Sequence, residues 1–247
     1  MNMKNSARDM LASYIDALYP IIYINHFDFK IIDDIVLDIS DSRKVIEYNN
    51  GLGIVDFKTK SVMKECDLFS FLKLVKDDGY DHSVFIVLKD VHTQLDNPEI
   101  VSLLKYIAER NLYNECYNAS IFIVASKFCI PEELEDLITV FDLPLPTVSE
   151  IKNIMIEFTK DLDIQVLEDV LSEIALSFKG LNEFQIKQIL NLAYQDGGVL
   201  DFDDKQLILS QKEQLIKKAG LLEMIPVHET IDDIGGLENL KEWQYHQ

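Results

Sequence analysis

Short, wholly apolar runs alternate along the chain with longer stretches whose apolar residues recur every three to four positions. Residues 21–24 (IIYI), 84–88 (VFIVL) and 121–125 (IFIVA) are continuous apolar runs of strand length, and residues 138–141 (ITVF) read as the next strand. Helical spacing fills the intervals. Residues 6–19 read as an opening helix, and Phe27, Ile31, Ile32, Ile35, Val36 and Ile39 share one face of a helix over 26–39. Residues 67–75 predict another. Asn97, Pro98 and Glu99 form a helix start, followed by one apolar face of Ile100, Leu103, Leu104, Ile107 and Ala108. Residues 45–48 and 54–57 flank Asn49-Asn50-Gly51 and predict a hairpin. Apolar strands alternating with amphipathic helices imply a parallel α/β sheet covered on both faces and wound by right-handed crossovers.

After Pro146 the strands stop. Thr147 and Glu150 form a capping box that opens a helix through Ile151, Ile154, Met155 and Phe158. A second helix runs through Val166, Val170, Leu171, Ile174 and Phe178, and Gly180 stops it. Asn182 and Gln185 open a third, with Ile186, Ile189, Leu190 and Ala193 inward. A fourth begins after Asp201, Asp203 and Asp204 and ends at Lys217, Lys218 and Gly220, which suits the helix dipole. The expected organisation is an α/β domain over 1–146, a small helical domain over 147–222 and a linker over 223–247.

Charge narrows the function classes. The 247 residues carry 43 acidic and 23 basic side chains, a formal net charge of −20. Such a surface repels phosphate backbones and anionic lipid, so nucleic acid and membrane are not expected partners, whereas basic proteins are. The N-terminus lacks a signal-peptide pattern, and no apolar run is long enough to span a bilayer. Cys66, Cys116 and Cys129 are widely spaced and form no CxxC pair, which fits free thiols in a reducing cytoplasm. His26, His82, His92 and His228 show no metal-ligand spacing, so no metal site is expected.

The order of these segments resembles an AAA+ ATPase module, a five-stranded α/β domain followed by a helical lid. Residues 83–92 (SVFIVLKDVH) are similar to a Walker B strand, and 120–126 (SIFIVAS) to a sensor 1 strand. Residues 138–151 (ITVFDLPLPTVSEI) look like the fifth strand entering the lid, and 176–192 resemble a lid helix-turn-helix. Residues 230–243 (TIDDIGGLENLKEW) resemble the loop and helix that open an AAA domain before its P-loop. The whole is similar to a group of AAA ATPases of cyanobacteria and algal plastids in which a degenerate first module precedes a complete one.

The resemblance implies ATP and magnesium in the parent family, but the residues for them are missing. Phosphate binding needs a glycine-rich loop after the first strand, with a following Lys-Ser/Thr. Here Asn25-His26-Phe27-Asp28-Phe29-Lys30 stands there, without glycine, and no Gly-Lys-Ser/Thr occurs in the chain. The Walker B positions hold Lys89 and Asp90, and the sensor 1 position holds Ser126. No arginine finger or sensor 2 arginine is identifiable, so no catalytic residue is assigned. By resemblance Asp233, Ile234 and Gly235 are the adenine-loop positions, but the sequence stops at Gln247 with no P-loop after them. Leu237, Leu240 and Trp243 fall on one helical face.

The first expectation is a catalytically inactive AAA-like module that binds no cofactor of its own. It would serve assembly, regulation or substrate handling in an oligomeric, truncated AAA+ ATPase. Its partners would be AAA-type subunits or the missing ATPase module. The alternative is part of an active ATPase whose P-loop lies downstream or in another subunit. A further alternative is a stand-alone adaptor or receiver-like module, suggested by Asp33, Asp34 and Asp90. Against a receiver, Asp142-Leu143-Pro144 stands where a lysine is needed.

Overall fold

A computed structural model describes residues 3–77, 84–113, 119–162, 168–197 and 204–219. The chain divides into two compact units, Met1–Glu150 and Ile151–Gln247. The first contains helices Met3–Asp16 (α1), Phe29–Ser40 (α2), Leu68–Asp77 (α3) and Pro98–Tyr113 (α4). Its strands are Ile21–Asn25 (β1), Lys44–Asn49 (β2), Gly53–Val55 (β3), Val62–Lys64 (β4), Val84–Lys89 (β5), Ala119–Ala125 (β6) and Ile138–Phe141 (β7).

The strands form one sheet in the order β4-β3-β2-β5-β6-β1-β7. β2, β5, β6, β1 and β7 are parallel neighbours, and they are the expected five-stranded parallel core. β5 and β6 lie side by side at its centre, with β1 beside β6, as the apolar runs require. Every residue of β5 and β6 is buried, which is why these strands carry no polar alternation.

The sheet has seven strands rather than five, because β3 and β4 add an antiparallel ribbon at the β2 edge. β3 is the return strand of the expected hairpin. β4 has no apolar signature, since all three of its residues are exposed. Gly53 is required at the start of β3. Its φ is +83°, and a Cβ there would lie 2.5 Å from the Lys64 carbonyl oxygen.

Side chains alternate across the sheet and build a core on each face. One layer joins the sheet to α1 and α2 through Leu11, Ile32, Ile35, Val36, Phe85 and Phe122. The other joins it to α3 and α4 through Leu72, Ile86, Leu104, Ile107 and Ile123.

Val148–Asp161 (α5) begins at the end of the first unit and runs into the second, which also carries Glu168–Ser177 (α6), Glu183–Gly197 (α7) and Asp204–Ala219 (α8). Both capping boxes form. The Thr147 amide donates to Glu150 Oε2 at 2.8 Å, and Asn182 and Gln185 exchange amide–side-chain bonds at 3.0 and 2.9 Å. Gly180 takes a φ of +93° where α6 has ended.

Candidate functional site

In open α/β sheets ligands bind outside the carboxyl ends of the parallel strands. The tips of β1, β6, β5 and β2 meet here, with Asn25 opposite Ala125, Lys89 opposite Val124 and Asn49 opposite Lys89. Two backbone bonds clamp the tips: the His26 amide donates to the Ala125 carbonyl and the Asp90 amide to the Val124 carbonyl, each at 3.0 Å.

The β1–α2 turn stands where a phosphate cradle would be. Asp28 is the N-cap of α2, and its Oδ1 accepts from the Lys30 amide at 3.0 Å. The Asp28 amide donates to His26 Nδ1 at 3.0 Å, and the His26 and Phe27 rings stack at 5.2 Å. A helix N-terminus attracts anions through its free N–H groups and its dipole. At α2 the chain supplies its own anion, the Asp28 carboxylate, and crowds the approach with two rings. A phosphate would meet a negative charge there.

Lys89 closes β5 and shares the sheet face of Phe85 and Val87, which α2 covers. It is 2% exposed. Its ammonium lies 2.8 Å from Asp33 Oδ2 on α2 and 3.0 Å from Glu47 Oε1 on β2. Lys60, from the β3–β4 connection, meets the same carboxylates at 2.8 and 2.6 Å. Burial alone would lower the Lys60 pKa, but hydrogen bonds to Asp33 and Glu47 outweigh it and hold the pKa above the ordinary lysine value. The rings of Phe29 and Phe57 flank Lys89 at 5.3 and 5.6 Å. Two cations and two carboxylates thus form a charge-balanced quartet, buried except for Lys60, whose side chain is partly exposed.

A magnesium–phosphate site has the opposite polarity, with a carboxylate on the strand and a lysine on the helix that follows the first strand. Here the strand carries Lys89 and the helix carries Asp33. Among the described residues no group of three or more His, Cys, Asp and Glu is placed to hold a metal ion.

The other candidates are placed as follows. Asp90 follows the tip of β5 at a φ of +55°, at the start of a single 3-10 turn, and its side chain makes no cap bond. Ser126 is exposed just beyond β6. The loop after it is held from below by Tyr23, whose hydroxyl donates to the Lys127 carbonyl and accepts from the Cys129 amide at 3.3 Å. Burial pushes the Tyr23 pKa up, so the hydroxyl stays neutral and able to donate. Asp34 is exposed on α2, away from the quartet. Asp233, Ile234, Gly235 and Trp243 lie outside the described residues, as do Cys116, His82 and His228.

Glu47 and Lys60, and the pairing of Asp33 with Lys89, escape a reading of the sequence because Lys89 and Asp33 are 56 positions apart. One signal is present nonetheless: Asp33 interrupts the apolar face that Ile32, Ile35 and Val36 define. A lone acid there needs a buried cation.

Residues 7–143 match the family model of the N-terminal domain of SpoVK-like AAA ATPases, and residues 149–219 match that of their second domain. The chain is 27% identical over 246 residues to the uncharacterized AAA domain-containing protein ycf46 of Pyropia yezoensis, covering 98% of this chain and 49% of that protein. It spans about half the length of the curated relatives it matches. Among solved structures, Caenorhabditis elegans PCH-2 superposes with a TM-score of 0.55 at 14% identity, over 84% of this chain and 68% of that one. A mutant of RuvB from Thermotoga maritima gives 0.51 at 11% identity, over 91% and 74%. These structural likenesses show the fold alone. The family matches take in both the sheet-bearing segment and the helical segment after it, and the chain belongs to the SpoVK-like AAA ATPases.

Proposed function

We propose that this chain is a non-hydrolysing AAA module, one that keeps the AAA fold but binds no nucleotide. It would serve assembly, regulation or substrate handling for an ATPase module in the full-length protein. The observation that carries the reading is the occupied site: Asp28 caps the helix that phosphate would use, and Lys89 is neutralised inside the core. With no glycine in the β1–α2 turn, side chains stand where backbone amides would have to reach phosphate. The partners would be AAA-type subunits or an ATPase module of the same polypeptide, in the cytoplasm. This is supported by the half-length coverage of the relatives.

Thermal unfolding tests the reading. A ligand at 100 times its Kd stabilises the native state by about 2.7 kcal/mol, a shift of several degrees. With 1 mM Mg-ATP or Mg-ADP the melting temperature should not move. A rise of several degrees would show a working site.

The second reading is a segment of an active ATPase whose P-loop lies downstream. The segment over 230–243 favours it, because it resembles the opening of an AAA domain. A GxxxxGK[ST] motif encoded after Gln247, with ATP turnover by that longer protein, would support it.

A further inference from the structure

The β3–β4 connection is built with more order than an exposed turn needs. Asp56 Oδ1 accepts from the Lys58 amide at 3.1 Å, the Thr59 amide at 2.7 Å and the Thr59 hydroxyl at 2.8 Å. The Asp56 amide donates to the Ser61 carbonyl at 2.9 Å, and the Lys60 amide to the Asp56 carbonyl at 2.8 Å. Lys60 sits at a φ of +58°, a conformation that costs a non-glycine residue about 1 kcal/mol or more. That strained residue and Phe57 turn back into the protein, Phe57 into the α2-side core and Lys60 toward charge, while Lys58 and Thr59 are exposed.

Its destination is a pair of carboxylates buried nine-tenths or more. Asp33 is 7% exposed and Glu47 is 3% exposed. Lys89 by itself leaves this pair with one negative charge in excess, and Asp33 Oδ1 is buried without a hydrogen-bond partner. The Lys60 side chain remains 41% exposed, so the pair is reachable from solvent along its path. The charged groups at the pair come from each element around it: Asp33 from α2, Glu47 from β2, Lys89 from β5 and Lys60 from the strap.

We propose that Asp33 and Glu47 form an acidic socket for a primary ammonium group, which Lys60 fills in cis, so that residues 56–61 act as a latch. With Lys60 seated, the quartet is neutral and the edge ribbon is tied to α2 and to the tip of β5. With Lys60 withdrawn, an alkylammonium from outside can take its place, and the ribbon is released. The geometry selects an ammonium. Three donors on one small cation reach oxygens of both carboxylates, and the adjoining Phe57 ring, 3.9 Å from Lys60 Nζ, adds a cation–π face. The inference stands whether or not the module binds nucleotide.

Chemical rescue in the whole chain tests it. Lys60→Ala should lower the melting temperature by about 5 °C. It should also speed amide hydrogen exchange over 56–61. Adding n-propylammonium chloride should reverse both effects in part. Sodium chloride and tetramethylammonium chloride at equal ionic strength should not, because neither offers N–H donors. The wild type and Lys60→Ala/Glu47→Gln should show no amine-specific response, the first because its socket is full and the second because it has one carboxylate for one lysine. Equal effects of propylammonium and tetramethylammonium would overturn the proposal, as would a Lys60→Ala variant as stable as the wild type. If Lys60→Ala fails to fold, Lys60→Ala/Glu47→Gln must fold, since its charges balance, and failure of both contradicts the socket.

Discussion

A lysine that ends a central, fully buried strand has two fates: it reaches solvent, or it finds carboxylates inside. Lys89 takes the second, between Asp33 and Glu47. Removing one partner of a buried ion pair leaves an uncompensated charge and costs about 3–5 kcal/mol. Lys89→Ala should therefore destabilise the first unit by roughly that amount, measured by urea unfolding. A loss under 1 kcal/mol would mean that the quartet is dispensable. Asp90 behaves differently. It holds a left-handed φ with no cap bond, so Asp90→Gly should be neutral or slightly stabilising, and Asp90→Ala, which keeps a strained Cβ, should be the less stable of the two by about 1 kcal/mol. If both variants melted alike, strain would not be the cause. The absence of glycine in the β1–α2 turn was plain in the sequence, as was the lysine after the apolar run over 84–88. What filled the vacated space was not, because Asp33, Glu47, Lys60 and Lys89 come from four separate elements.

Strong periodicity made α2, α4, β5 and β6 legible, and the capping boxes at Thr147 and Asn182 marked helix starts that the structure forms. β4 was not legible, since a three-residue exposed edge strand has neither alternation nor an apolar run. Gly53 is the residue that lets the ribbon turn. Gly53→Ala should cost about 2–4 kcal/mol, because a Cβ there meets backbone at 2.5 Å at a positive φ. Chemical denaturation reads this directly, and a loss below 1 kcal/mol would contradict the geometry. The latch also sets a pH signature. The folded Lys60 pKa lies above its unfolded value, near 10.4, so its stabilisation is full below about pH 10. It is lost as pH rises through the folded value. The melting temperature of the wild type should therefore fall more steeply between about pH 10 and 12 than that of Lys60→Met. Parallel alkaline curves would show that Lys60 gains nothing from its carboxylates.

For the whole molecule, the order of elements decided more than any single motif. Apolar strands alternating with amphipathic helices, then helices alone, specify a parallel sheet with a helical unit after it, and the sheet has the neighbours this requires. The same order makes the missing phosphate chemistry informative, because it shows where each part should stand. At that place the fold supplies a carboxylate cap, stacked rings and a neutralised lysine. The account holds that this module keeps an AAA architecture without nucleotide. Isothermal titration calorimetry of the purified chain with Mg-ATP, and separately Mg-ADP, tests that most directly. The account predicts no saturable heat up to millimolar nucleotide. A saturable isotherm with a micromolar Kd for either nucleotide would contradict it.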